Sequence, residues 1–463
     1  MRYFVARARW FSLAFAVSIV LKPAFGQGEN SRVAPIELIG RDLIVLMNSL
    51  NQGVNDPTKT LPREPMIDRA MDAVGQTPLF KITALSQKQA NAKLSEIDSA
   101  YYPQVDGGVN SGRRTYTTTT ASSGGYSGGY LYVTQRLFDF GALEVQRGSV
   151  LDQISISKQS EERQRSELLL TAVRLFYETQ RSLIQVRLAR ENLQARRALV
   201  NFIRERTELG ASSIADVVRA ETQVADGLDL LSSSLKNLSQ AQARYREFYL
   251  DEAQPYILPT EPEVEDVSNA GLEDYLKDHP ALIEADLKVS MALKNYESTK
   301  AAKNGTVNLE FKYNQTAAFA GSSASQDRTL MITYARSIYS GGAEDARSQQ
   351  AYIAVEEARL ERERLAQEMT KKIRDSLAEY NGQVASLRSR LMVFKGAEDA
   401  YAITKDLYAF SRSSLFELLR AQETLYSSGQ KLIDSIIDRA LSKYQLLFDT
   451  NQLLKLAKAS KPE

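Results

Sequence analysis

The apolar and polar positions along the chain follow a helical period in two long stretches. Residues 142 to about 209 and 343 to about 410 contain no proline, and a continuous helix of that length is about 100 Å long at 1.5 Å per residue. After a short serine-rich break, each stretch is followed by a second helix with apolar residues at heptad spacing: Val217, Val224, Leu231, Leu238 and Tyr245 in the first, and Leu418, Leu425, Leu432 and Ile436 in the second. The pattern predicts two helical hairpins with coiled-coil seams.

A pair of predicted strands precedes each hairpin. Residues 101–121 and 126–140 are rich in Tyr, Thr and Val, and the turn between them is predicted at 122–125. In the second pair, 306–320 and 329–340, apolar residues alternate with polar ones around a polar loop at 322–327. Each strand of this second pair therefore has one apolar and one polar face.

The two units share one register, which indicates an internal duplication. Phe138 corresponds to Tyr339 and Gly141 to Gly342, both 201 residues apart. The same offset places 213–220 over 414–421. We interpret 66–250 as the first repeat and 279–456 as the second; the first repeat opens with a helical segment, 66–100, that restarts at Pro78.

The other segments flank these repeats. Residues 1–26 carry three arginines before an apolar run and end in small residues, which predicts a secretory signal peptide. Residues 27–65 are interpreted as an extension and linker, 251–278 as an acidic, proline-bearing crossover, and 457–463 as a tail. No later stretch has the roughly 18 apolar residues that a transmembrane helix needs.

Charge and chemistry exclude several classes of function. Four of the 58 basic residues and none of the 57 acidic ones lie in the signal, so the remainder carries about −3 and does not suggest nucleic-acid binding. Without cysteine there is no disulfide, thiolate metal site or acylated cysteine. The single histidine, His279, precedes Pro280 at a predicted helix start and is typical of a capping residue. Glycines 124, 125, 128 and 129 are interpreted as a flexible hairpin end. We expect neither an enzyme nor a cofactor.

Four amphipathic strands leave two open edges, which cannot face lipid. The smallest membrane barrels need about eight strands, so two or more chains would have to share one barrel. The alternative is a periplasmic coiled-coil scaffold or adaptor without a pore, in which the four strands form a soluble sheet. Periodicity alone leaves both possibilities open.

The order of these features resembles the TolC-like outer-membrane factors. The resemblance runs from about Met66 to Leu456 and is carried by the duplicated unit, the junctions at 137–139 and 338–342, His279-Pro280, and the motif 414–426. It implies a mainly α fold with a β-barrel part: a homotrimer with a twelve-stranded outer-membrane barrel, continued by a periplasmic tunnel of twelve helices. The departures are the extension at 27–63 and the chemistry of the helix tips.

That resemblance also implies a function and partners. The protein would be the passive exit duct of a tripartite efflux pump or type I secretion system, located in the outer membrane with a large periplasmic portion. Its partners would be outer-membrane lipid, a periplasmic adaptor and an inner-membrane ABC or proton-driven transporter. The adaptor would open the tunnel by moving the helix tips apart.

The candidate site residues follow from the same resemblance. Glu417 takes the first acidic position of the tunnel constriction, where three copies would attract cations, while Arg420 takes the second and could pair with Glu417. Asp216 and Arg219 are their equivalents in the first hairpin. Tyr408 matches a tip-closing tyrosine whose arginine partner falls on Ser413, beside Arg412. The adaptor-docking residues would be those of the two turns: Gly210, Ala211, Ser212, Ser213, Ser411, Arg412, Ser413 and Ser414. The serines could also serve as helix N-caps.

Overall fold

A computed structural model of the protein describes residues 65–117, 121–252, 272–317 and 324–460. The predicted signal peptide, nearly all of the extension, most of the crossover and the last three residues lie outside this part. In chain order the elements are α1 (Pro65–Gln76), α2 (Pro78–Ser99), β1 (Gln104–Thr117), β2 (Ala121–Phe138), α3 (Ala142–Glu208), α4 (Ile214–Tyr249), α5 (Leu272–Lys277), α6 (Pro280–Ala302), β3 (Thr306–Thr316), β4 (Ser325–Ala335), α7 (Ala343–Ala409), α8 (Leu415–Asp449) and α9 (Leu453–Ser460).

Helices α3 and α7 are the long arms of two hairpins, and each has 67 residues. α3 packs on α4, α7 packs on α8, and α3 also contacts α8, so the two hairpins lie side by side. Above them, α6 lies between α3 and α7. Among the described residues, no helix combines the length and apolar character needed to cross a membrane.

The backbone itself repeats with the offset of 201 residues. Left-handed residues occur in pairs at this spacing: Phe140 with Gly341, Gly141 with Gly342, Gly210 with Ser411, and Leu250 with Asn451. A positive φ is uncommon for residues other than glycine, so four matched pairs do not arise from local preference alone. The pairs show that both copies use the same turns to enter and leave their helices, which supports the interpretation of an internal duplication.

The four strands form one antiparallel sheet in the order β1, β2, β3, β4. The turn predicted at 122–125 is wrong, because these residues lie in β2 and pair with 113–116 of β1. Gly124, Gly125, Gly128 and Gly129 are likewise strand residues and not a hairpin end. The predicted loop at 322–327 is also too long, since β4 begins at Ser325 and ends at Ala335, where the chain turns towards α7. In both cases the hydrogen-bond ladder between neighbouring strands outweighs local turn preference.

The two faces of the sheet differ in chemistry. One face carries Val105, Val109, Leu330, Ile332 and Tyr334, which are between 57% and 91% exposed in the protomer. The other face is polar: Lys312 Nζ lies 2.7 Å from Glu310 Oε2 and 4.9 Å from the ring of Tyr132. A sheet with one contiguous exposed apolar face and two unpaired edges is suited to association with further strands within lipid.

Two apolar clusters hold the helices together. One lies between the hairpins and includes residues of α3, α4, α7 and α8. The other packs α1 and α9 against α3 and α8, around Tyr177 and Tyr444.

His279 is the N-cap of α6, where its Nδ1 accepts a hydrogen bond from the Ala281 amide at 3.2 Å. Burial, with repulsion from Lys372 and Arg163, lowers the pKa of His279 to about 4. Its interpretation as a capping residue is confirmed.

Candidate functional site at the helix tips

Both hairpin tips are built by the same pair of helix-terminal motifs. In the first tip the amides of Gly210 and Ala211 donate to the carbonyls of Thr207 and Arg206, which closes α3 with a Schellman motif. In the second tip Ser411 and Arg412 donate in the same way to Tyr408 and Leu407. Gly210 has φ of 73° and Ser411 has φ of 59°, so a serine adopts the left-handed conformation where the other copy has glycine.

A capping box begins the return helix at each tip. Ser213 Oγ accepts from the Asp216 amide while the Asp216 carboxylate accepts from the Ser213 amide, both at 3.2 Å. Ser414 and Glu417 exchange the equivalent bonds at 3.2 and 3.0 Å. These reciprocal bonds satisfy two amides that a helix N-terminus otherwise leaves free, and they fix the direction in which each return helix leaves its turn.

The Glu417 carboxylate is exposed but held by its own helix terminus. It accepts a further hydrogen bond of 2.6 Å from Ser413 Oγ. This bond, followed by the bond from the Ser414 amide, lowers the pKa of Glu417. The side chain is therefore a fixed anion at neutral pH.

The two hairpins differ in their acid and arginine pairs. Arg219 Nη1 lies 3.5 Å from Asp216 Oδ1, and the two residues form an ion pair within the first hairpin. The suggested pair between Glu417 and Arg420 is not formed in the protomer: Glu417 instead binds Ser413 and Ser414, and Arg420 is exposed with no ion pair to any described residue. The capping box outweighs an exposed pair at i, i+3, because it satisfies backbone amides as well as the carboxylate.

Tyr408 is buried at the second tip, and its arginine partner comes from the first hairpin. Arg206 Nη1 donates to the carbonyls of Tyr408 at 3.2 Å and Ala409 at 2.9 Å, and Nη2 donates to Ser411 Oγ at 2.7 Å. The guanidinium carbon lies 5.1 Å from the centroid of the Tyr408 ring. The position that the family resemblance gives to this arginine holds Ser413, and within the protomer Arg206 of the first hairpin is the arginine that contacts Tyr408. We call Arg206 with Tyr408, Ala409 and Ser411 the tip clasp.

The tip clasp has a simple electrostatic basis. The last carbonyls of α7 carry the negative end of the helix dipole, which attracts a cation, and a carbonyl such as that of Tyr408, which already accepts from the Ser411 amide, can accept a second hydrogen bond. Arg206 supplies that charge from the last turn of the neighbouring long helix. A second contact joins the same tips, since Ser212 Oγ lies 3.5 Å from the Tyr408 hydroxyl. Together these contacts hold the end of one hairpin against the other.

A second tie between the hairpins lies further along α3. Arg196 has a side chain only 2% exposed, and its Nη2 lies 2.7 Å from Glu423 Oε2 on α8. Its Nη1 donates to the Gln223 carbonyl of α4 at 2.6 Å. One buried guanidinium thus links both return helices to α3, about ten residues from the tip clasp along the same helix.

The turns themselves present apolar side chains to the surroundings. Leu209 and Phe410 occupy equivalent positions in the two copies and are 84% and 77% exposed. Ile214 and Phe416, at the start of the return helices, are similarly exposed. Of the residues predicted to dock an adaptor, only Ser212 and Ser413 are half-buried, and the other six are exposed.

No group of acidic or histidine residues in the described part of the chain is arranged to hold a metal ion.

Comparison with known proteins agrees with this architecture. The family described as "Outer membrane efflux protein" matches residues 71–247 and 271–447, so that each match covers most of one repeat and the second begins at the end of the crossover. The outer membrane efflux protein BepC of Brucella suis biovar 1 (strain 1330) is 21% identical over 364 residues, covering 77% of this chain and 78% of that protein. The probable outer membrane lipoprotein SilC of Salmonella typhimurium is 21% identical over 420 residues, covering 86% and 89%.

The fold is also that of solved outer-membrane channels. The crystal structure of CusC, solved in relation to folding and transmembrane channel formation, superposes with a TM-score of 0.74 at 16% identity, over 86% of this chain and 98% of that one. The order of helices and strands that resembles the TolC-like proteins is thus confirmed. The chain belongs to the outer membrane efflux protein family, and it is an outer-membrane efflux channel with the TolC-like fold.

Proposed function

We propose that three copies of this chain form a passive channel-tunnel that is closed at its periplasmic end by the tip clasp. The observation that carries the proposal is the continuity of an amphipathic sheet with two helical hairpins whose ends are fastened together. The sheet supplies a wall in the membrane, the long helices supply a conduit, and the tips supply a gate.

Closure of the barrel explains the exposed faces of the protomer. β1 and β4 are the edges of the four-stranded sheet, and pairing β4 of one copy with β1 of the next removes every edge. The helices also present unpartnered apolar residues, such as Val218 on α4 and Met392 and Ile403 on α7, which are 56% to 70% exposed. Contacts with neighbouring copies would bury them.

The gate has two parts: the tip clasp, which holds the hairpins together, and the Glu417 carboxylates, which select ions. The tip clasp holds the first and second hairpins together, and opening requires its hydrogen bonds to break. Three copies of Glu417 at the tips would form a carboxylate ring that attracts cations. The capping box and Ser413 hold each carboxylate in position and ionised. Arg420 lies one turn further along the exposed surface and does not neutralise Glu417 within the protomer.

The exposed turns fit docking by a periplasmic adaptor. Leu209, Ile214, Phe410 and Phe416 offer apolar contacts beside the serines of the turns. An adaptor that binds these side chains would act within a few residues of the tip clasp, and its binding energy could separate the hairpins. Transport would then be driven by an inner-membrane ABC or proton-driven transporter. The family description favours efflux over type I secretion as the process served.

The proposal is tested by extracting the protein from outer membranes in detergent and measuring its mass and its conductance in a planar bilayer. We expect three chains per particle and a small, cation-selective conductance. A periplasmic scaffold would be released without detergent and would not conduct. Release in that form, or a folded detergent-extracted trimer without conductance, would contradict the channel.

A further inference from the structure

The outward face of the sheet carries charge at only one end. Among the described strand residues on this apolar face, the only charged side chains are Arg113 on β1 and Arg328 on β4. Arg113 lies on the same face as Val105 and Val109, and Arg328 on the same face as Leu330 and Ile332, because side chains alternate along a strand. The acidic strand residues Asp106, Glu310 and Asp327 all lie on the opposite face.

Both arginines are at the end of the sheet that points away from the periplasm. All four connections to helices leave from the other end, next to Gln104, Phe138, Thr306 and Ala335. Because the helices form the long periplasmic part, the opposite end must approach the outer surface. Arg113 lies four residues before the end of β1 and Arg328 three residues after the start of β4.

Neither guanidinium is neutralised within the described part of the chain. Both side chains are exposed, and neither forms an ion pair there. Arg328 lies over the ring of Tyr313, with 5.6 Å between the guanidinium carbon and the ring centroid, which holds it against the outward face. Stacking on an aromatic ring leaves the edge of the guanidinium free to donate to an anion.

We propose that Arg113 and Arg328 bind the phosphate groups of outer-leaflet glycolipid, as a collar of six guanidinium groups around the trimer. Below the collar the apolar band contacts acyl chains; at its level the phosphates of the headgroups accept charge-assisted, bidentate hydrogen bonds. The absence of acidic residues from this face among the described strand residues leaves nothing to repel the headgroups. This inference rests on the proposed barrel.

The test is native mass spectrometry of the detergent-purified trimer titrated with bisphosphorylated lipid A, its dephosphorylated form, or phosphatidylglycerol. We expect the phosphorylated glycolipid to bind most tightly, and R113Q/R328Q to weaken it by about tenfold or more, the loss of two charge-assisted contacts. The control R136Q, on the polar face, should bind as the wild type does.

Several results would overturn the inference: equal binding of the dephosphorylated lipid, equal binding of phosphatidylglycerol, release by millimolar inorganic phosphate, or full affinity in R113Q/R328Q. If the glutamine variant does not form trimers, R113K/R328K keeps the charge but loses the bidentate geometry, and it should bind with intermediate affinity; unchanged affinity would count against the inference. A conducting trimer that is indifferent to lipid phosphate refutes only the collar, whereas failure to form a conducting trimer refutes the proposed channel.

Discussion

At the scale of single residues, the charged side chains of the tips bind backbone groups at the ends of helices. Glu417 is both an N-terminal cap and the proposed filter, and Arg206 satisfies carbonyls at the C-terminus of a helix that is not its own. A sequence shows the first role, because Ser-x-x-Glu spacing is local. It does not show the second, since Arg206 and Tyr408 are 202 residues apart. The one sequence feature that points to this second role is the position of Arg206 in the last turn of a long helix.

We expect the charge of the Glu417 carboxylates to make the channel cation-selective. Glu417→Gln removes the charge, but the glutamine side-chain oxygen can still accept the capping hydrogen bond from the Ser414 amide. Cation selectivity should therefore fall in bilayer reversal-potential measurements, while the trimer remains stable. Asp216→Asn is the matched change in the first hairpin, whose charge is already paired with Arg219, and should alter selectivity less. Because hydrogen bonds from Ser413 and Ser414 lower the pKa of Glu417, wild-type selectivity should persist as pH falls to 5. Selectivity that is unchanged in Glu417→Gln would remove Glu417 from the filter.

The cap at His279 predicts a pH-dependent stability. The folded pKa is about 4 against an ordinary 6.5, because burial disfavours the charged form. The unfolded state therefore binds more protons between these values, and native stability falls as pH falls from 6.5 to 4, by at most about 3 kcal/mol per chain.

Thermal unfolding of His279→Asn and His279→Ala separates the cap from the titration. Asparagine also caps helices, so His279→Asn should keep most of the stability at pH 7 and lose the part of the pH dependence due to His279; His279→Ala should lose about 1 kcal/mol at pH 7. An unaltered slope between pH 6.5 and 4 in both variants would show that His279 is not the titrating group.

At the scale of elements, the hairpins and the duplication could be predicted because their signals extend over many residues. Proline-free stretches and heptad repeats accumulate evidence along 60 or more residues, as α3 and α7 show. The strand turns could not be placed as well. Ser122 to Gly125 has turn composition, yet it pairs with β1, and that pairing depends on a register that only the assembled sheet fixes.

The left-handed turn at the first tip predicts an effect of glycine substitution. Gly210→Ala adds a side chain at φ of 73°, where nothing blocks it sterically but the backbone conformation is costly, so the tip should lose about 1 kcal/mol. Gly382→Ala lies within α7, also in open space, and should stabilise its helix by about 0.5–1 kcal/mol. Hydrogen exchange of the tip amides and thermal unfolding measure the two effects. If the tip amides exchange as slowly in Gly210→Ala as in the wild type, the left-handed conformation assigned to Gly210 is contradicted.

At the scale of the whole molecule, the strand pattern predicted four amphipathic strands with two open edges, which need further chains if they lie in a membrane, because edges cannot face lipid, but it left a soluble sheet equally open. The number of chains came from resemblance and not from the residues. The two faces can be distinguished by neighbouring positions on one strand: Ile332 is 68% exposed on the apolar face, and Met331 faces the polar side.

This asymmetry predicts how charge is tolerated in the membrane part. Ile332→Lys places an ammonium group on the lipid face three residues from the periplasmic end of β4, where it costs less than the about 2–4 kcal/mol of the bilayer midplane, and it should still reduce the heat-resistant trimer recovered from outer membranes. Met331→Lys points into the lumen, where Lys312 already lies, and should leave recovery nearly normal. Equal recovery of both variants would contradict the assignment of the lipid-facing side.

The central claim is that a clasp between hairpins closes a conducting trimer, and single-channel conductance of Arg206→Gln tests it most directly. Arg204→Gln is the control, because Arg204 pairs with Glu221 and so ties α3 to α4 within one hairpin. We predict a severalfold larger conductance, or frequent long openings, for Arg206→Gln, and wild-type conductance for Arg204→Gln. A folded Arg206→Gln trimer with the wild-type conductance and open time would contradict the claim.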